Sequence, residues 1–125
     1  MRERLKDKNR LEHIKQAIDT ILERVESMDY ESFRTDKILY GGIVYYTMII
    51  GEAAYKLSPQ FVRAYSEVAW QDIADMRHHL VHGYYQVDSS IVWAVVQHDL
   101  KPLRIQINNL LSNINWEDWE SSMEK

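Results

Sequence analysis

Apolar residues in this chain recur every three or four positions, and almost nothing interrupts them. Leu11, Ile14, Ile18, Ile21, Leu22, Val25 and Met28 form one such stripe, with charged residues between them. Glycine occurs four times and proline twice in 125 residues, and no strand-like alternation is present. This period, 3.6 rather than 2, specifies amphipathic helices packed on one another. The expected fold is all-α, a bundle of four or five helices.

The first helix is predicted over residues 3–28. MDYESFRTD then reads as a connector, with Asp36 placed to cap the next helix. This second helix runs over 37–57 and is apolar nearly all round, which puts it at the centre of the bundle or at a subunit interface. Ile43, Val44, Met48, Ile49 and Ile50 exceed what one inward stripe requires; a large core and a dimer interface both account for them. Gly41 and Gly42 weaken its first turns by about 1 kcal/mol each relative to alanine. Close approach by another helix, or a later helix start, would explain them. Glu52, inside the apolar run, is expected in the interior with a hydrogen-bond partner.

Ser58-Pro59 gives a cap and a first-turn proline for a short helix through FVRAY. Trp70 opens the next helix, with Ile73, Met76 and Leu80 facing inward and Gly83 as its stop. Asp88 or Ser89 caps a last long helix that Pro102 kinks or splits. Trp116 and Trp119 lie in an acidic tail, packed on the bundle or on a partner. The domain boundaries are 1–115 for one helical domain and 116–125 for the tail.

Several function classes are disfavoured. The chain has no cysteine, hence neither disulfides nor thiolate metal sites. A net charge of −4 argues against a general nucleic-acid coat. No apolar run reaches the ~20 residues of a membrane span. MRERLKDKNR carries charges where a signal peptide would be apolar, so a cytoplasmic protein is expected.

The densest chemistry is RHHLVHGYY at 77–85, with one arginine and three of the five histidines. On a helix His78 and His82 share a face, and Gly83 places His82 in the last turn. There the helix terminus favours imidazolium and Arg77 opposes it, which leaves His82 titrating near neutrality. Arg77 is a permanent cation suited to gripping a phosphate. Three other readings stand beside this one. Arg77 can pair with Asp72 or Asp75 on an ordinary helix surface. His78 and His82 can bind a metal, although no carboxylate completes the set. Tyr84 and Tyr85 can cover the end of the bundle.

Arg77-His78-His79-Leu80-Val81-His82-Gly83-Tyr84 fits the Arg-x4-His-x-Tyr motif of the HepT toxins of the HEPN superfamily. IIGEAAYKLSP (49–59) and WQDIADMRHHLVHGYYQVDSSIVWAVVQHDLKPL (70–103) resemble that family's framework in the same order. The resemblance implies a HEPN-type helical bundle that forms a homodimer, with the motif at the subunit junction. It implies a metal-independent ribonuclease that needs no cofactor, with Arg77 and His82 of both copies as the catalytic set. It also implies a nucleotidyltransferase antitoxin of the MNT type as partner, which transfers AMP from ATP to Tyr84. His78 departs from the asparagine often found there and is assigned a supporting or RNA-contacting role. A binding subunit that has lost catalysis, positioning a nucleotide for the partner, is the alternative within the superfamily.

Overall fold

The computed structural model describes residues 6–75 and 88–124, and among these every regular element is helical. In chain order they are α1 (Asp7–Val25), α2 (Tyr30–Thr35), α3 (Lys37–Tyr55), α4 (Pro59–Ala64), the described part of α5 (70–75), α6 (Ser89–Ala94), a π-helical turn (Val95–Asp99), α7 (Leu100–Asn113) and α8 (Trp116–Met123). None of the described helices is long and apolar enough to cross a membrane.

Helix α1 supplies the spine. Its predicted stripe is buried from Leu11 to Val25 and packs principally on α3 and α7. The helix stops at Val25, short of the expected Met28, whose N–H instead closes a turn onto the Val25 carbonyl at 3.0 Å. The supposed connector contains α2. Asp29 caps it by accepting from the Ser32 N–H at 2.8 Å, and Phe33 is driven fully into the core. Asp36 caps α3 through the Leu39 N–H, and Ser58 caps α4 through the Phe61 N–H.

The central helix α3 differs from expectation in three respects. Ile43, Val44 and Ile50 lie in the chain's own core, so they are no surplus. Glu52 is not interior: it is exposed and bonds Lys56 one turn on, at 2.7 Å. The helix starts at Lys37, and a Cβ added at Gly41 or Gly42 would meet nothing within 4 Å. Neither a later start nor close approach by another of the described helices accounts for the two glycines.

Pro102 exerts its effect upstream. Without an N–H and with its ring crowding the previous turn, it cannot continue a regular ladder. The chain widens into the π turn before it, where the Leu100 N–H bonds the Val95 carbonyl. Val96, Leu100 and Leu103 stay buried across the change.

The acidic tail is ordered onto the bundle. Asn115 caps α8, and Trp116 and Trp119 both pack on the fully buried Phe61, with ring centroids at 6.0 and 5.4 Å. Asp7, 8 % exposed, ties three elements together: its carboxylate accepts from the Ser58 N–H and hydroxyl and from the Trp119 indole at 2.8, 2.7 and 3.1 Å. Removing such an acceptor strands three donors, so Asp7→Ala is expected to lower stability by about 1–3 kcal/mol. Lys15→Ala breaks only an exposed bridge to Asp19 and is expected to cost about 0–1 kcal/mol. Urea denaturation followed by tryptophan fluorescence checks both.

Candidate functional site

Arg77, His78, His82 and Tyr84 lie outside the described residues, as do Met76, Leu80 and the Gly83 stop. What the structure shows is how the chain is held on either side of residues 76–87.

On the N-terminal side the anchor is aromatic. Trp70 is buried at the first turn of α5 and sits 5.8 Å from the Phe61 ring. Its indole N–H donates to the Tyr65 carbonyl at 2.9 Å, and its backbone N–H donates to the Val68 carbonyl at 2.8 Å. The start of α5 is thereby fixed to α4 and, through Phe61, to α8. Ala74 faces inward, whereas Asp72 and Asp75 are exposed; Asp75 accepts from the Gln71 side chain at 2.9 Å. Both carboxylates considered as partners for Arg77 therefore stand on the solvent side of α5.

On the C-terminal side the anchor is polar. Of the two candidate caps, Asp88 is the one used: it accepts from the Ser90 N–H and hydroxyl at 2.8 and 2.7 Å. The Ser90 hydroxyl, then its N–H, hold the Asp88 carboxyl below the ordinary aspartate range. Ser89 exchanges a hydrogen bond with the Tyr30 hydroxyl at 2.9 Å, and Trp93 packs on Phe33 at 5.0 Å. Burial pushes the Tyr40 phenol up, and the nearby negative charge of Asp88 adds to the shift. Tyr30 and Phe33 belong to α2, the helix that the apolar pattern does not announce; its one local signal is Asp29 three residues before Ser32.

Two of the five histidines are described, His13 on α1 and His98 in the π turn, and both are exposed. No group of three or more His, Asp or Glu among the described residues could hold a metal ion.

The family model described as Ribonuclease HepT-like matches residues 14–110, a span that includes the motif and the anchors on either side of it. The chain belongs to this family of HEPN proteins. Among its relatives is "Putative RNase TTE0752" of Caldanaerobacter subterraneus subsp. tengcongensis, 36% identical over 101 residues, which are 81% of this chain and 90% of that protein. "Probable ribonuclease HepT" of Thermococcus cleftensis is 33% identical over 103 residues, 82% of this chain and 94% of that protein. No solved structure matches. Asp7 and α8 fall outside the matched span.

The Asp88 cap carries a pH dependence whose sign is fixed. A carboxyl depressed in the folded state contributes fully above its unfolded pKa of about 4, and that contribution is lost progressively as pH falls from there through the lower folded pKa. Amide exchange at Ser90, corrected for intrinsic rate, is expected to be slower at pH 6 than at pH 3. Asp88→Asn, which keeps an acceptor that does not titrate, is expected to flatten that difference.

Proposed function

We propose that this chain is the toxin of a two-component system, an endoribonuclease that cuts RNA without a metal ion in the cytoplasm. The supporting observation is the spacing Arg77-x4-His82-x-Tyr84 inside the span that matches the Ribonuclease HepT-like family. Cleavage forms a bond between the ribose 2′-oxygen and phosphorus and breaks the bond from phosphorus to the 5′-oxygen. A base must take the 2′-hydroxyl proton and an acid must give one to the departing 5′-oxygen. One chain's motif offers a single His82, so two copies are needed: one His82 is the base, the other the acid. The two Arg77 side chains stabilise the charge gathering on the pentacoordinate phosphate. His78, one turn before His82, orients it or contacts RNA.

Tyr84 is the off switch in this reading. The partner, a nucleotidyltransferase antitoxin of the MNT type, directs the tyrosine oxygen onto the α-phosphate of ATP. An O–P bond forms, pyrophosphate leaves, and Tyr84 carries AMP. The added bulk and negative charge exclude an RNA backbone from the cleft.

Two measurements test this. Purified protein in EDTA is expected to cut RNA into fragments ending in 2′,3′-cyclic phosphate. Arg77→Ala and His82→Ala, folded by circular dichroism, are expected to lose at least about 100-fold in rate. Equal rates for wild type and His82→Ala would remove the ribonuclease assignment. Mass spectrometry after incubation with antitoxin, ATP and magnesium is expected to place AMP on Tyr84, and Tyr84→Phe is expected to stay unmodified and active.

A further inference from the structure

Helix α2 has six residues, fewer than two turns, and a helix of that length is ordered by what it packs on rather than by its own ladder. Its contacts converge on α6, which opens at Ser89, five residues after Tyr84 in the sequence. The Tyr30 and Ser89 hydroxyls share a half-buried hydrogen bond of 2.9 Å. The Trp93 ring, one turn further along α6, lies 6.0 Å from the Tyr30 ring and 5.0 Å from the Phe33 ring. Phe33 is fully buried and also meets Tyr40 of α3 at 5.5 Å.

We propose that Tyr30 is a positioning residue for the ribonuclease: acting through Ser89, it fixes the start of α6, to which the stretch carrying His82 and Tyr84 is joined. This rests on the ribonuclease reading above and adds a residue that acts without touching RNA.

The rings and the hydroxyls make different contributions. Rings packed at these separations tolerate sliding and tilting, so Trp93 against Phe33 sets the distance of α6 from the core and leaves its rotation loose. A hydroxyl pair at 2.9 Å is directional and weakens steeply when its geometry is lost. It also acts at the first residue of α6, where the helical ladder has not yet begun to hold the chain. The Asp88 bonds close on Ser90, two residues away, and so shape this turn without placing it. The Tyr30–Ser89 bond spans 59 residues of sequence and places the turn against α2.

Reach makes that placement matter. The chain from Ser89 back to Tyr84 covers at most about 18 Å even when fully extended. A tether so short passes a shift of α6 on to the motif. Misplacing reacting groups by about 1 Å costs on the order of 100-fold in rate, so a fraction of that shift is readable in kcat.

Tyr30→Phe keeps the ring against Trp93 and removes only the hydroxyl; Ser89→Ala removes the other half of the bond. Each is expected to lower kcat for RNA cleavage about tenfold, the worth of one such bond, and to leave KM within about twofold. The double variant is expected to lose no more than either alone, because all three lack the same bond. Ser89→Thr, which keeps a hydroxyl, is expected to retain kcat within about twofold. Urea denaturation establishes that each variant is folded under assay conditions. A readout without catalysis accompanies these: the NMR signals of the His82 and Gly83 backbone amides are expected to move in Tyr30→Phe and Ser89→Ala alike, while those of α1 stay.

Wild-type kcat in Tyr30→Phe, additive losses in the double variant, or a loss matched by the fraction of unfolded protein would overturn the proposal. A wild type that does not cut RNA overturns the ribonuclease reading alone. The two amides then decide for Tyr30: moved in both variants they uphold its placing role, and unmoved they overturn it.

Discussion

Phe61 is where the periphery of this bundle is tied together. Its ring is fully buried and touches Tyr65, Trp70, Trp116 and Trp119, which joins α4 to α5 on one side and to α8 on the other. Such a ring brings a large apolar area to one point, and its neighbours meet it at angles from nearly parallel to nearly perpendicular. The polar ends of the cluster are satisfied locally: the Trp70 indole by Tyr65, the Trp116 indole by Leu111, the Trp119 indole by Asp7. Asp7 in turn holds Ser58, the cap that starts α4 and orients Phe61. Few contacts therefore determine where α5 begins, and α5 is the helix that leads into Arg77.

The far side of the motif depends on different physics. Asp88 and Ser89 leave it through hydrogen bonds rather than rings, and the group that receives Ser89 is Tyr30, 59 residues away in sequence. Exposed carboxylates at Asp72, Asp75 and Asp88 flank the motif in the sequence.

The long elements were legible because each depends on a local rule. The period of α1, the Asp36 and Asp88 caps and the Ser58-Pro59 start all act within four residues. Short α2 was not legible: six residues give less than two turns of periodicity, and its stability comes from Phe33 and Tyr30 packing against α3 and α6. Pro102 announced an interruption but not its place, since the strain it creates is relieved a turn earlier. For α8 the acidic composition hid a docking face whose signal was two tryptophans three residues apart. At the candidate site the spacing of Arg77, His82 and Tyr84 is readable in the sequence, while the residues themselves lie outside the described ones. Their supports, Trp70 on Phe61 and Ser89 on Tyr30, were not readable, because no local rule predicts a contact made across the fold.

The same distinction explains α3. Hydrophobicity alone marks the helix as apolar all round and assigns the surplus to Ile43, Val44 and Ile50, which the core absorbs. The exposed large side chains of α3 lie half a turn away, at Ile38, Tyr45 and Tyr55. Two adjacent glycines in such a helix cost about 2 kcal/mol of helix stability relative to alanine. Among the described residues no neighbour packs against either glycine to offset that cost.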